Sequence, residues 1–242
     1  MISAATQTEV DRLRQLQNTY LPSDDIRAVL QHKSLVMLVG ATCQGKSTVI
    51  QAATTLDQRF GMAGNLTTRP PREDDGTLYT YYDYTDEGLQ KLFTKIENHE
   101  LVQYAFNTTG HIYGSELAHY SYEYNLKDVL ASAVDSFRRL GFGSTKAVTV
   151  ISDPGAWLAR FNDRFPPGNI YRVARRDEAI QSFMWSLAQP SGTHGWVENI
   201  DGQPEKAGQT VIDIALNNGT DDSHARALAE QSLAIAHGIT AE

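Results

Sequence analysis

A glycine-bounded turn between an apolar run and a helix-like segment constrains this chain more than any other feature. The turn reads Gly40-Ala-Thr-Cys-Gln-Gly-Lys-Ser-Thr48 and follows the apolar residues 35–39. This is the pattern G-x-x-x-x-G-K-[ST] in its required context of a buried strand, a turn and a helix. Glycines let successive N–H groups turn toward phosphate oxygens, and a helix N-terminus adds positive potential. The sequence therefore predicts a nucleotide-binding site in an α/β fold.

The motif assigns individual roles within this turn. Lys46 is expected to reach the β- and γ-phosphates of ATP, and the Ser47 hydroxyl is expected to bind Mg²⁺. We predict that the ATP site includes every residue of the turn, namely Gly40, Ala41, Thr42, Cys43, Gln44, Gly45, Lys46, Ser47 and Thr48.

Composition excludes several classes of partner. The 242-residue chain carries a formal net charge of −8, which argues against a sequence-independent nucleic-acid binder or a membrane-surface protein. Cys43 is the only cysteine, so we expect a reducing compartment. The first residues lack the pattern of a signal peptide, and no apolar run is long enough to span a membrane. We therefore predict a soluble, cytoplasmic protein with no nucleic-acid or membrane partner.

Hydrophobic periodicity divides the chain into an N-terminal extension and an α/β domain. Residues 1–33 predict two short helices, one with a capping box at Thr8 and one capped by Ser23. This extension is either a packing appendage or an arm that binds a protein partner. Beyond it, strands alternate with helices, which is typical of a doubly wound parallel sheet. Strands are expected at residues 61–68, 77–84, 101–106, 128–134, 146–152 and 210–216.

Further motifs bring in a resemblance to a known family. Thr67-Thr-Arg-Pro-Pro-Arg72, Gly76-x-x-Tyr79, Tyr113-Gly-Ser115 and Lys127-Asp-Val-Leu130 follow the phosphate loop in order. With that loop they resemble the guanylate kinases, from about residue 35 to residue 218. The resemblance implies a P-loop fold with a five-stranded parallel core at residues 34–68 and 126–242. It also implies an inserted lobe for a nucleoside monophosphate (NMP) at about 69–125 and a short lid at about 162–190.

The same resemblance implies an acceptor site. Arg69, Arg72, Tyr79 and Tyr113 match the family residues that hold the acceptor 5′-phosphate, and guanidinium forks suit that anion. The family positions that recognise guanine align with Asn65, Gln103 and Ser132, while Ser115 keeps a hydroxyl contact. Carboxylates accept hydrogen bonds from guanine N1–H and N2–H₂, and here neutral side chains replace two of them. The phosphate half of the site is thus kept, while the base half differs.

The remaining implied residues concern the lid, the metal and the adenine side. Arg164, Arg175 and Arg176 are candidate lid arginines, and with Lys46 and Arg69 they make up the expected catalytic set. A family aspartate that helps to order Mg²⁺ aligns with Val134, and Asp135 is one position away. Asn217 follows the predicted last strand, where the family's adenine-side loop lies, although a plain turn is an equal alternative.

We therefore expect an ATP-dependent nucleoside monophosphate kinase acting on GMP, dGMP or a related nucleotide, with Mg²⁺. The alternative is a guanylate-kinase-like binding module with weak or no catalysis, since the base-recognising residues differ. Such modules typically lose the lysine or glycines of the phosphate loop, which this chain keeps. No N-K-x-D motif occurs, which argues against a GTP-hydrolysing switch.

Overall fold

The computed structural model describes residues 2–71, 78–107, 110–190, 194–217 and 223–241. The chain forms two compact units. The first unit contains Met1–Ser34, Met62–Asn125 and Asp135–Ser144. The second unit contains Leu35–Gly61, Leu126–Val134 and Thr145–Glu242.

The described residues contain both strands and helices in an α/β arrangement. The strands are β1 (Ser34–Val39), β2 (Phe60–Met62), β3 (Asn65–Thr67), β4 (Tyr79–Tyr81), β5 (Leu101–Phe106), β6 (Ile112–Glu116), β7 (Tyr124–Asp128), β8 (Ser144–Ile151) and β9 (Gly195–Glu198). The α-helices are α1 (Ala4–Leu16), α2 (Asp24–Leu30), α3 (Lys46–Leu56), α4 (Asp86–Glu97), α5 (Val134–Arg138), α6 (Pro154–Arg164), α7 (Arg172–Leu187), α8 (Pro204–Leu216) and α9 (Ser223–Gly238). Two short 3₁₀ turns occupy Leu117–His119 and Ala131–Ala133.

The larger sheet confirms the predicted α/β class. Its five parallel strands have the order β2-β7-β1-β8-β9, so β1 lies between two strands that come much later in the chain. Side chains alternate between its two faces, as β9 illustrates. A Cβ on Gly195 would meet Ile214 of α8, whereas Trp196 packs in a core with Trp157 of α6 and Phe183 of α7. Helices therefore cover both faces of this part of the sheet.

The smaller sheet belongs to the first unit and has the order β4-β3-β6-β5. β3 pairs with β4 in parallel and with β6 antiparallel, and β5 is an edge strand paired with β6. One face carries Leu66 and Tyr104 into a core shared with α4. Val10 and Leu13 of α1 are 0% and 2% exposed in that same core. The N-terminal helix is therefore an integral layer of the first unit.

Near the C-terminus of the second unit, the structure corrects one strand prediction and shows one strand that was not predicted. Residues 210–216 are the end of helix α8, because Ala207, Val211 and Ile214 are buried at helical spacing. The last strand of the sheet is instead β9, within a stretch that the sequence pattern did not resolve. Lys146 Nζ donates to the carbonyl oxygens of Ile214 at 2.7 Å and Asn217 at 3.1 Å, and so caps the end of α8.

The strand predicted at residues 128–134 is also displaced. The observed strand β7 ends at Asp128, and residues 131–133 form a 3₁₀ turn that leads into α5. Buried polar side chains at Asn125 and Lys127 hide the strand from a hydrophobic pattern. Smaller shifts occur elsewhere, since residues 61–68 hold two short strands and helix α1 is capped by Ser3 rather than Thr8.

Among the described residues, the structure contains no helix with the length and apolar character needed to cross a membrane.

The crossing of α3 and α8 yields a stability test. A Cβ added at Gly208 would lie 2.7 Å from the Ala53 nitrogen and 2.8 Å from the Ala52 carbonyl carbon, so backbone would have to move. We expect Gly208→Ala to lower the free energy of unfolding by about 1–3 kcal/mol through overpacking. Gly238→Ala, whose Cβ would meet nothing within 4 Å, is the matched control. Urea unfolding that ranks the two variants equally would contradict this close contact.

Candidate functional site

The phosphate loop in the second unit begins at the carboxyl end of β1. A Cβ at Gly40 would lie 2.6 Å from the Val150 carbonyl oxygen, so only glycine fits against β8 there. Gly45 has a φ of +82° and a Cβ there would lie 2.2 Å from Asn199 Nδ2. Both glycines of the motif are thus required by the backbone path and by close approach of neighbouring groups. Helix α3 starts immediately afterwards at Lys46.

A cavity of about 470 Å³ opens at this loop. Lys46 Nζ donates to the carbonyl oxygens of Gly40 at 2.6 Å and Ala41 at 3.1 Å, and lies 3.7 Å from Asp128 Oδ1. The cavity is lined by Thr42, Cys43, Gly45, Lys46, Ser47, Asp128, Arg160, Asp163 and Arg164. Three cationic side chains, two hydroxyls, two carboxylates and a helix N-terminus therefore share one cavity, which suits a polyphosphate with its metal ion.

Gln44 is fully buried and supports the loop from behind. Its Oε1 accepts hydrogen bonds from the backbone N–H and the hydroxyl of Ser152, each at 2.6 Å. Ser152 Oγ in turn accepts from Arg160 at 2.6 Å, and Arg160 Nε donates to the Cys43 carbonyl at 3.0 Å. These bonds connect the phosphate loop to the end of β8 and to helix α6. The Gln44 side chain thus helps to fix the conformation of the phosphate loop.

Asn199 and Asp201 extend this support and were missed by sequence reasoning. Asn199 Nδ2 donates to the Gln44 carbonyl at 3.0 Å, and its backbone N–H donates to the Ile151 carbonyl at 2.7 Å. Asp201 Oδ1 accepts from Arg160 at 2.7 Å. Both follow β9, so the signal available in the sequence was the short run Trp196-Val197 between Gly195 and a polar loop.

The predicted acceptor residues of the first unit share one face of the smaller sheet. The paired positions are Asn65 with Tyr79, Thr67 with both Tyr81 and Tyr113, Ala105 with Tyr113, and Gln103 with Ser115. Side chains at directly opposed positions lie on the same face. The opposite face carries Leu66 and Tyr104 into the core. The structure therefore brings together all five acceptor candidates that lie on these strands.

Arg69 lies at the end of β3, beside this face. Its guanidinium carbon is 4.9 Å from the centre of the Tyr79 ring, and its Nη1 donates to the Pro70 carbonyl at 2.9 Å. The residue is 6% exposed. Thr67 Oγ1 accepts from the Arg69 backbone N–H at 3.2 Å and donates to the Ile112 carbonyl at 3.0 Å, which fixes the strand exit. Two residues predicted to hold one phosphate thus stack on each other.

Comparison with known proteins bears on both sets of residues. The family model for guanylate kinase matches residues 32–125. Over these residues the chain is guanylate-kinase-like. The match covers the phosphate loop and the acceptor strands, and it confirms the resemblance that the sequence motifs indicate.

Among solved structures, the chain is similar to the guanylate kinase from Anaplasma phagocytophilum. The two share 11% sequence identity over 76% of this chain and 84% of that chain, with a TM-score of 0.41. No curated protein matches the sequence.

The candidate lid arginines lie in different surroundings. Arg164, at the end of α6, lines the phosphate cavity. Arg175 and Arg176 lie on α7 and pair with Glu178 and Asp177 respectively. Arg160 was not predicted, yet it lines the same cavity one turn before Arg164. Most of the expected lid is the helix α7, whose Ala179 and Phe183 are core residues.

Three other predicted positions lie away from these two groups of residues, and a fourth lies outside the described residues. Arg72 lies outside the described residues. Ser132 belongs to the 3₁₀ turn beyond β7, so its expected place on the third core strand was wrong. Asn217 follows helix α8 instead of a strand, which removes the structural basis of its predicted adenine-side role. Asp135 is on α5 of the first unit and pairs with Arg138 at 2.9 Å.

Asp128 lines the cavity and was not among the predicted site residues. It ends β7, the neighbour of β1, and its carboxylate faces Lys46 in the cavity. Because the carboxyl ends of parallel strands gather at one edge of a sheet, acidic residues at these ends are candidates for ligand contacts. Asp128 was missed because the strand was predicted at residues 128–134, whereas β7 ends at Asp128.

Lys127 is a buried amine next to Asp128. It is 3% exposed, and burial lowers its pKa from the ordinary 10.5 to about 7, although the Asp128 carboxylate acts in the opposite direction. Between these two pKa values the unfolded chain binds a proton that the folded chain does not. The free energy of unfolding should therefore rise with pH across this interval, by up to about 1.4 kcal/mol per pH unit.

We expect Lys127→Met to remove this contribution, so that its free energy of unfolding rises less between pH about 7.5 and 9.5 than that of the unsubstituted protein. Urea unfolding at both pH values provides the measurement, with Lys206→Met, at an exposed position, as the control. Equal pH slopes for the unsubstituted protein and Lys127→Met would contradict the depressed pKa.

Proposed function

We propose that this protein is a nucleoside monophosphate kinase that transfers the γ-phosphoryl group of ATP to GMP, dGMP or a related (deoxy)nucleoside monophosphate. The observation that carries the proposal is the phosphate cavity of the second unit. There Lys46, Ser47 and two arginines line one space beside the N-terminus of α3. The guanylate kinase match and the polar face of the smaller sheet supply the acceptor half.

On the donor side, phosphoryl transfer needs position and positive charge more than covalent chemistry. Lys46 would stabilise charge on the β- and γ-phosphates, and N–H groups at the start of α3 would donate to their oxygens. Arg160 is held by three acceptors, the Cys43 carbonyl, the Ser152 hydroxyl and Asp201. A guanidinium carries five N–H donors, so Arg160 retains donors for a phosphate. Arg164 adds a second, more exposed guanidinium.

Mg²⁺ fits the oxygen groups of this cavity. Magnesium favours a few protein oxygens together with water and substrate phosphates. Ser47 would hold it, and Asp128 is placed to contact its water. When bound, the ion would neutralise charge on the β- and γ-phosphates. Asp128 also balances the positive charge of Lys46, whose side chain is 11% exposed.

On the acceptor side, the 5′-phosphate would bind Arg69, Tyr79 and Tyr113, with Arg72 as a further predicted contact. Stacking on Tyr79 orients the Arg69 guanidinium plane. Gln103 and Ser115 are directly opposed on the same face and would read the base. The Ser115 hydroxyl is also hydrogen-bonded to the Tyr120 hydroxyl at 2.8 Å, and burial raises the pKa of Tyr120. The buried phenol therefore stays protonated.

Acceptor-dependent release of ADP tests the proposal directly. A panel of ribo- and deoxynucleoside monophosphates is assayed with Mg²⁺ and ATP, and we expect turnover restricted to one base. Lys46→Ala should lower kcat by about 10²-fold or more, because charge on the transferred group loses its main side-chain partner. Lys206→Ala, which removes an exposed lysine from the same unit, should leave kcat unchanged.

Full activity of Lys46→Ala would remove the phosphate loop from the mechanism. ATP binding by the unsubstituted protein without turnover of any acceptor would contradict the kinase proposal and favour a guanylate-kinase-like binding module.

Base preference gives a separate test of the acceptor face. A carboxylate accepts guanine N–H groups more strongly than an amide does, by about 1 kcal/mol per charge-assisted bond. We therefore expect Gln103→Glu to increase kcat/KM for GMP relative to other monophosphates by about fivefold. Gln90→Glu, at an exposed position on α4, is the matched control. An unchanged base profile for Gln103→Glu would place Gln103 outside the base site.

A further inference from the structure

Residues that precede the guanylate kinase match contact β5, an edge strand of the smaller sheet. The match begins at residue 32, yet α1 and the segment after it contact β5 along its length. Strand β5 pairs with β6 on one side, and edge strands carry backbone groups that need partners on the other. We define the edge clasp as Gln17 and Tyr20.

Tyr20 binds one end of β5. Its hydroxyl donates to the Leu101 carbonyl at 2.9 Å and accepts from the Leu101 N–H at 3.2 Å. The ring stacks on His99 with centroids 5.4 Å apart and meets the Tyr104 ring edge-on at 5.0 Å. Burial raises the pKa of Tyr20, so its hydroxyl remains a donor at neutral pH. The Tyr20 hydroxyl, as donor and as acceptor, thus forms hydrogen bonds with both backbone groups of Leu101.

Gln17 binds the other end of the strand. Its Oε1 accepts from the Phe106 N–H at 2.7 Å. Between the two, the Tyr104 hydroxyl donates to the Leu13 carbonyl at 2.9 Å. The register of β5 against β6 shifts between Leu101 and Gln103, so the ladder itself defines this part of the strand less well. The hydrogen bonds from Tyr20 to Leu101 therefore contribute most to the position of β5 between Leu101 and Gln103.

Gln103 lies between the two anchored residues and faces the acceptor side. We propose that the edge clasp is a positioning element for base recognition. By fixing Leu101 and Phe106, Gln17 and Tyr20 set the position of Gln103 against Ser115. This inference rests on the proposed function, because Gln103 is a base contact only in that account. It assigns the N-terminal segment an internal role and does not require a protein partner.

The experiment compares Gln17→Leu, Tyr20→Phe and the double variant with the unsubstituted protein. Gln15→Leu makes the same chemical change at an exposed position of α1 and is the matched control. Gln17→Glu keeps an acceptor oxygen and should restore the properties of the unsubstituted protein. Two properties are measured: amide hydrogen exchange of Leu101 and Phe106 in the ligand-free protein, and KM for ATP and for the preferred monophosphate.

The double variant should speed exchange of both amides by about five- to tenfold, the change expected for one lost hydrogen bond each. It should also raise KM for the monophosphate several-fold and weaken base preference, with KM for ATP unchanged. A merely structural role would not separate the two substrates. Faster exchange with an unchanged acceptor KM, an equal rise in both KM values, or unchanged exchange would each overturn the inference.

A failure of the proposed function is distinguishable from a failure of the clasp. If the unsubstituted protein turns over no monophosphate, the kinase proposal fails, and the position of Gln103 is then measured by its backbone and side-chain amide resonances. A shift of these resonances in the double variant, absent in Gln15→Leu, supports the clasp. Unmoved resonances overturn it.

Discussion

The conformation of the phosphate loop in the second unit depends on the close approach of Asn199 to Gly45. Only a residue without Cβ fits there, and the same asparagine donates to the Gln44 carbonyl. The loop is thereby joined to the ends of two neighbouring strands, since Gln44 also binds Ser152 at the end of β8. A loop held in this way presents Lys46 and the first N–H groups of α3 without needing to be reorganised. The proposed phosphoryl transfer would require such a preorganised arrangement of charge.

Polar groups gather at this loop because of strand order. β1 lies between β7 and β8, so the carboxyl ends of three adjacent strands contribute the phosphate loop, Asp128 and Ser152. In open α/β sheets this edge is where ligands bind.

The smaller sheet of the first unit has two faces of different character. It buries one face under α1 and α4 and keeps Tyr79, Tyr113, Asn65 and Gln103 on the other. The period-two alternation of short strands is sufficient to separate a core face from the face that carries the predicted acceptor residues.

Much of this organisation was predictable from the sequence, and the exceptions have physical causes. The strand, turn and helix predicted around Gly40–Thr48 and the five-stranded parallel core are confirmed, because glycine spacing and apolar runs report backbone requirements directly. The strand around Lys127 was misplaced because Asn125 and Lys127 are polar yet buried. Residues 210–216 were predicted as a strand because Val211, Ile212 and Ile214 form an apolar run interrupted only by Asp213. In the structure they belong to helix α8, which packs against α3 and β9. Asn199 and Arg160 act through backbone carbonyls of the loop, and no local pattern encodes such partners.

Isotope transfer from ATP labelled at its γ-phosphorus measures the central claim most directly. The labelled nucleotide is incubated with Mg²⁺, the protein and each nucleoside monophosphate, and the products are separated. The account predicts that the label appears as the β-phosphate of one nucleoside diphosphate. Label that remains in ATP, or that is released only as inorganic phosphate with every acceptor, would contradict it.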